Sequence, residues 1–199
     1  MKSHAIPRRW EAVAVALITL SAALLRFSRL PELPPGLHFD EGFKAVTARA
    51  LLEGAPPQIF FESDMGEEPI ALYLLAAVFG LVGQAPWLVR LPSAIIGTLT
   101  VPLVWWLGRE LGRRCGEAQI ATAAGPHPEA TVTAPPGQVG GLGAALILSI
   151  LYWHLSFSRI GMEPILVPFF AALSFAALAR GLNTGRRRNY ALAGLALVF

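Results

Sequence analysis

Long apolar segments alternate with short polar or basic stretches along this chain of 199 residues. Four of them, at about residues 10–27, 87–108, 139–157 and 164–181, are each long enough for a helix that crosses the roughly 30 Å of hydrocarbon in a bilayer. A fifth begins at Tyr190 and stops at Phe199, so we expect a truncated span and a chain that is the N-terminal part of a longer protein. The pattern predicts an all-α fold, a polytopic bundle of membrane helices.

Composition supports this class and excludes others. Hydrophobic residues make up 54% of the chain and charged residues 15%, whereas soluble domains have about 25% charged residues. The net charge of +3 does not indicate a nucleic-acid partner, because the basic residues cluster at the ends of the apolar segments, as topology determinants do. Cys115 is the only cysteine, which excludes an internal disulfide and a cysteine-based metal site.

A shorter apolar segment, residues 70–83, decides the predicted topology. At about 14 residues it is short for a span. If it does not cross the membrane, all three basic clusters fall on the cytoplasmic side, as the positive-inside rule requires; if it does, the cluster at Arg109 moves outside. We therefore expect a cytoplasmic N-terminus, an outer loop at 28–86 with two surface helices, and a flexible cytoplasmic insertion at 115–138. The basic clusters are Lys2/Arg8/Arg9, Arg109/Arg113/Arg114 and Arg180/Arg186/Arg187/Arg188.

Acidic residues concentrate in the predicted outer loop. The segment 28–69 carries eight of the thirteen acidic residues of the chain, with His38-Phe39-Asp40-Glu41 at its centre. Asp40 suits the N-cap of a helix that ends near Gly54, and the alternation of apolar residues predicts a helix that lies flat on the membrane. The face expected to lie against the membrane carries Phe43, Val46, Ala50 and Leu51. On this pattern alone, a plain helix cap explains Asp40 as well as catalysis does.

Two further acidic positions are expected on the same outer face. Glu67 lies just before the 70–83 segment, and Glu163 opens the fourth apolar segment, four residues after Arg159. Each could simply mark the start of a helix. Three acidic positions that converge at three span ends instead favour a functional site.

Four segments, in this order and spacing, resemble a known family. They are LPPGLHFDEG at 33–42, GEEPIALY at 66–73, VRLPSAIIGTLTVP at 89–102 and WHLSFSRIG at 153–161. Together they resemble the bacterial polyprenyl-phosphate-sugar glycosyltransferases of the protein O-mannosyltransferase and aminoarabinose (lipid A) transferase superfamily. The resemblance covers nearly all of residues 10–199 outside the 115–138 insertion. It implies a GT-C fold in the bacterial inner membrane.

The resemblance also implies roles for individual residues. Asp40 is expected to act as the catalytic base, and Glu41 to support it or to share with it a divalent metal such as Mg or Mn. Glu67, Glu163 and His38 are expected in substrate binding. Some relatives place a Lys after the position of Glu67 to meet the lipid phosphate; because this chain has Glu68 there, Arg159 or Arg90 is expected to take that contact.

The reaction implied is the transfer of a sugar from a polyprenyl-phosphate donor to an acceptor hydroxyl on a protein, lipid or glycan, with inversion at the anomeric carbon. Two other classes stay open. Pro92 and Pro102 in the second apolar segment are compatible with the broken helices of a transporter or lipid flippase. A non-catalytic lipid-binding membrane module would use the acidic loop only as a solvated face.

Overall fold

The computed structural model describes residues 6–62, 66, 68–123 and 137–198, and these form eight α-helices and no strand element. The all-α class predicted from the sequence is therefore confirmed. The helices are α1 Arg8–Phe27, α2 Phe39–Leu52, α3 Pro69–Val82, α4 Leu91–Ala123, α5 Gly137–Ile150, α6 Tyr152–Arg159, α7 Leu166–Thr184 and α8 Arg187–Ala196. Short 3₁₀ turns, Pro86–Arg90 and Glu163–Ile165, lead into α4 and α7.

Three helical stretches of the described chain are long and apolar enough to cross a membrane, namely Arg8–Phe27, Pro86–Cys115 and Glu163–Thr184. Helices α5 and α6 meet the same criterion only as a pair, as one broken span or as a re-entrant loop. The helices thus have the length and composition of a membrane protein, close to the segments that hydropathy predicts.

The observed helices differ from the predicted segments in three places. The predicted third span, 139–157, is interrupted at Leu151, whose extended backbone separates α5 from α6. Helix α4 continues to Ala123, so the predicted insertion does not begin at 115; residues 117–123 contain mostly good helix formers. The remainder of the predicted insertion, 124–136, lies outside the described residues. Helix α8 has ten residues, begins before Tyr190 and is not among the candidate spans.

Helix α3 has 14 residues, the length predicted for the 70–83 segment. At 1.5 Å per residue it is about 21 Å long, which is shorter than the hydrocarbon core of a bilayer. It packs against α2 and the Pro86–Arg90 turn around a small apolar core. That core consists of Ala48, Leu75, Ala76, Phe79, Leu88 and Val89. The position of α3 on the outer surface stays a prediction.

Helix α2 begins two residues earlier than predicted, because its N-cap is His38 and not Asp40. The imidazole of His38 accepts a hydrogen bond from the Asp40 amide, and the Glu41 carboxylate reaches back to the His38 amide at 2.7 Å, which completes a capping box. On the predicted apolar face, Val46 is 69% exposed, and the residues of α2 that are buried within the protein are Glu41, Lys44 and Ala48. That the apolar face lies on the membrane stays a prediction. Charged residues can occupy the inner face of this helix because Glu41 and Lys44 each pair with a residue on another segment.

Contacts between residues divide the chain into two compact units. Unit 1 comprises Met1–Ser21, Leu99–Ile150 and Pro168–Phe199, and unit 2 comprises Ala22–Thr98 and Leu151–Val167. Unit 2 contains α2, α3 and the predicted site residues. The ranges of unit 1 include all three basic clusters.

Glycines allow α4 and α5 to approach closely within unit 1. A Cβ atom added at Gly108 would lie 2.7 Å from the Cα of Gly141, and one at Gly112 would lie 2.2 Å from the Cα of Gly137. Small residues bring helix backbones together in this way in membrane proteins, where packing replaces the hydrophobic effect as the force between helices. Each side of the contact therefore depends on the absence of a side chain.

We predict that Gly141→Ala destabilises the protein by about 1–3 kcal/mol, the usual cost of overpacking. The added methyl group would lie 2.6 Å from the backbone oxygen of Trp105, which cannot move without shifting α4. The matched control is Gly140→Ala on the same helix, where nothing lies within 4 Å of the added Cβ. Thermal unfolding in detergent should show a lower Tm for the first variant only; equal Tm values for the two variants would contradict the proposed contact.

Candidate functional site

An ion pair between Glu41 and Arg90 lies at the centre of unit 2. The two residues are 0% and 2% exposed. The Nε and Nη2 atoms of Arg90 donate to the two carboxylate oxygens of Glu41 at 2.8 and 3.2 Å. This two-pronged geometry is the strongest form of an arginine–carboxylate contact. It joins the first turn of α2 to the 3₁₀ turn that leads into α4.

Both partners of the ion pair are fully hydrogen-bonded. Besides Arg90, the Glu41 carboxylate accepts the backbone amides of His38 at 2.7 Å and of Gly161 at 3.0 Å, so each oxygen accepts two hydrogen bonds. A carboxylate has about four acceptor positions, and all of them are used. Glu41 thus holds α2 to the segment that follows α6.

The remaining donors of Arg90 organise the chain between α1 and α2. Its Nη1 atom donates to the carbonyl oxygens of Pro34 at 2.8 Å and Leu30 at 3.5 Å, and its Nη2 atom also donates to that of Gly36. All five N–H groups of the guanidinium therefore have acceptors. The buried side chain of Arg90 therefore fixes the irregular segment between α1 and α2, and with it the position at which α2 begins.

The pKa of Glu41 is held below its ordinary value of 4.5. Burial alone would raise it, since a low dielectric disfavours the charged form. The hydrogen bonds from Arg90 and from the His38 and Gly161 amides, together with the charge of Arg90, outweigh that effect. Glu41 is therefore ionised at neutral pH and is a poor candidate for a proton acceptor.

A second ion pair joins α2 to the beginning of α7. The Nζ atom of Lys44 lies 2.9 Å from a carboxylate oxygen of Glu163, and the exposed fractions of the two side chains are 4% and 25%. Both residues line a small cavity of about 20 Å³, together with Ser93 and Gly161, which gives room for about one water molecule. Glu163 thus lies beside α2, where it pairs with Lys44 and not with Asp40.

Asp40 is the accessible carboxylate at the start of α2. Its side chain is 33% exposed, and one of its oxygens lies 3.2 Å from Nδ1 of His38, which is itself 58% exposed. In contrast to Glu41, Asp40 keeps part of its side chain open to solvent, and the adjacent imidazole can orient its carboxylate.

Arg159, expected to meet a donor phosphate, binds the backbone after α1. It donates to the carbonyl oxygens of Arg26 at 3.2 Å, Ser28 at 2.9 Å and Leu33 at 3.2 Å, and also to that of Leu25. Basic side chains often satisfy free carbonyl groups at helix ends in this way. Arg159 is only partly buried, whereas Arg90 is sealed by its partners. A phosphate contact at Arg159 stays a prediction, and the geometry disfavours one at Arg90.

A buried polar cluster behind Arg159 was not predicted from the sequence. Arg26, His154 and Ser158 are at most 6% exposed, and Arg26 contacts Ser158 Oγ at 3.2 Å and His154 Nδ1 at 2.8 Å. Gly97 lies against it, since a Cβ there would be 2.1 Å from Ser158 Oγ. The signal in the sequence is Arg26, which lies in the last turn of an apolar helix. An arginine that is buried there needs hydrogen-bond partners.

The described residues fit a metal ion poorly. They contain no group of three His, Cys, Asp or Glu side chains that could hold one. The predicted ligand pair separates, because Glu41 turns inward to Arg90 while Asp40 remains at the surface. Glu67, the third acidic position, lies outside the described residues. We therefore derive no step through a metal.

Comparison of the chain with known protein families, with curated proteins and with solved structures found no match.

We predict that Glu41→Gln destabilises the protein by about 3–5 kcal/mol, because it leaves the buried charge of Arg90 without a counter-ion. The matched control is Glu53→Gln, which removes a carboxylate at the other end of α2. Glu53 pairs with Arg49 at 2.7 Å, but both side chains are about 60% exposed, so this loss should change little. Chemical denaturation in detergent micelles measures both variants, and similar losses would disprove the central role of the Glu41–Arg90 pair.

Stability should also depend on pH through Glu41. Its pKa is lower in the folded protein than in the unfolded chain, so the contribution of its charge is complete above about pH 4.5 and is lost as the pH falls through the lower, folded value. Tm measured between pH 7 and pH 3 should fall at the acid end. Glu41→Gln should lose that part of the dependence, whereas a curve identical to that of the wild type would contradict the assignment.

Proposed function

We propose that this chain is part of a membrane glycosyltransferase that uses a polyprenyl-phosphate-linked sugar as its donor. The observation that carries the proposal is the contrast between two adjacent carboxylates. Glu41 is buried and fully hydrogen-bonded, and it fixes the start of α2, while the side chain of Asp40 is 33% exposed and lies beside an imidazole. Rigid support beneath one accessible acid is the arrangement that a positioned general base requires.

In the proposed reaction, Asp40 accepts the proton of an acceptor hydroxyl. The oxygen of that hydroxyl forms a bond to the anomeric carbon of the sugar, the bond from that carbon to the phosphate oxygen breaks, and the lipid phosphate leaves with the electron pair. His38 orients the carboxylate of Asp40 through the 3.2 Å contact. Attack opposite the leaving group inverts the anomeric carbon.

Arg159 keeps the proposed phosphate-binding role, because it is the more accessible of the two candidate arginines. A phosphate would share its N–H groups with the carbonyl oxygens after α1. The GT-C fold, the bacterial inner membrane and an acceptor hydroxyl on a protein, lipid or glycan belong to the same proposal. Apolar helices of spanning length support the membrane setting in which a lipid-linked donor would be held.

We predict that Asp40→Asn, in the full-length protein, lowers sugar transfer from a polyprenyl-phosphate sugar by at least about 100-fold, since a positioned general base contributes about 10²–10⁴-fold. The matched control is Glu32→Gln, another exposed acid, which pairs locally with Arg29 and should keep full activity. Membranes with equal amounts of each variant are assayed with a radiolabelled donor. Unchanged transfer by Asp40→Asn would remove Asp40 from the role of base.

A transporter or flippase is the second candidate, and the break between α5 and α6 favours it. Discontinuous helices form substrate sites in many transporters. The two classes separate in the same assay: a transferase consumes the labelled donor and yields a glycosylated acceptor, whereas a transporter moves the donor across the bilayer unchanged.

A further inference from the structure

Unit 1 contains a cavity that plays no part in the proposed transfer reaction. Its volume is about 350 Å³, and its lining includes Arg8, Arg109, Arg113 and Arg180. This volume lies at the low end of the range for small-ligand sites, about 300–1,000 Å³. Four guanidinium groups around one cavity indicate an anionic ligand.

Two buried glutamates hold three of these arginines in place. Glu11, 2% exposed, lies 3.2 Å from Arg109, and Glu110, 0% exposed, lies 2.9 Å from Arg180 and 3.2 Å from Arg113. Four arginines against two glutamates leave a net charge of +2. The cavity is therefore positive even when every ion pair within it is formed.

The glutamates are also held by neutral donors, so the arrangement is built and not accidental. Glu11 accepts hydrogen bonds from Gln138 at 3.0 Å and from the indole of Trp105 at 3.3 Å. Glu110 accepts one from Asn183 at 2.9 Å. Because these neutral donors occupy part of each carboxylate, the glutamates need fewer hydrogen bonds from the arginines. Other guanidinium N–H groups can then bind a ligand.

The cavity lies at the ends of three candidate spans. Arg8 is the first residue of the span Arg8–Phe27, Arg113 is close to the end of Pro86–Cys115, and Arg180 is close to the end of Glu163–Thr184. The ends of spans lie at the level of lipid headgroups. Trp105, with Arg109 stacked 5.5 Å from its ring centre, is also typical of that interface.

We propose that this cavity binds the phosphate headgroup of an anionic membrane phospholipid. The guanidinium groups bind the phosphate oxygens, for which arginine has the matching geometry. The acyl chains then extend along the apolar helices beside the cavity. Basic pockets between membrane helices are suited to such headgroups. The inference is independent of the proposed transferase activity, because the residues that carry it belong to unit 1 and Asp40 belongs to unit 2.

The test uses the full chain, purified in detergent and titrated with dioleoyl-phosphatidylglycerol, with bound lipid counted by native mass spectrometry. Wild type should bind this lipid saturably and bind dioleoyl-phosphatidylcholine much more weakly. Arg8→Gln should weaken the binding about fivefold. Arg8 is exposed, so the fold should tolerate the change, and Arg8→Lys should restore part of the affinity.

The matched control is Arg9→Gln, which removes the same charge one residue away, outside the cavity lining; it should bind as the wild type does. An equal loss in Arg8→Gln and Arg9→Gln would show a diffuse charge effect and overturn the proposal. Equal binding of the two lipids would overturn it as well. Competition by inorganic phosphate at millimolar concentration would assign the cavity to a soluble anion instead of a lipid.

Discussion

The ion pair between Glu41 and Arg90 is the interaction on which unit 2 depends. Arg90 donates hydrogen bonds to three carbonyl oxygens of the segment after α1. Glu41 accepts one from the amide of His38, the N-cap of its own helix, and one from the amide of Gly161 after α6. A buried charge is costly unless its partner and its hydrogen bonds are complete. Here they are complete on both sides, so the pair fixes irregular segments that have few regular hydrogen bonds of their own.

The same constraint separates the roles of two neighbouring acids. Consecutive residues on an α-helix point about 100° apart, so a helix that turns Glu41 inward must turn Asp40 toward the surface. Lys44, one turn further along the inner face, pairs with Glu163 and prevents α2 from rotating to bury Asp40 instead. A partly exposed carboxylate beside a buried structural one follows from these two contacts. The directions of the two side chains therefore account for the adjacent acids without a shared metal ion.

Much of the helix pattern could be predicted from hydropathy, because the positions of apolar runs of about 20 residues depend only on local composition. The inner face of α2 could not. The apolar residues of α2 predict only the face that would lie on the membrane, whereas Glu41 is buried because of an arginine 49 residues later in the chain. The N-cap could have been read correctly, since His38 and Glu41 have the spacing of a capping box. The roles of Arg90 and Arg159 depend on backbone carbonyl groups, for which no sequence signal exists.

The buried acids of both units follow one rule. Glu11 and Glu41 lie in the first turns of their helices, and Glu110 lies five residues before the end of the candidate span Pro86–Cys115. Each is paired with at least one arginine. Near the end of a span, a charge is cheaper to bury than at the bilayer centre, because polar partners and water are close. Each buried carboxylate is in this way neutralised by a partner. Asp40, next to one of these buried acids, keeps part of its carboxylate open to solvent, which suits the proposed proton transfer. The arginines that line the cavity of unit 1 suit the proposed phosphate.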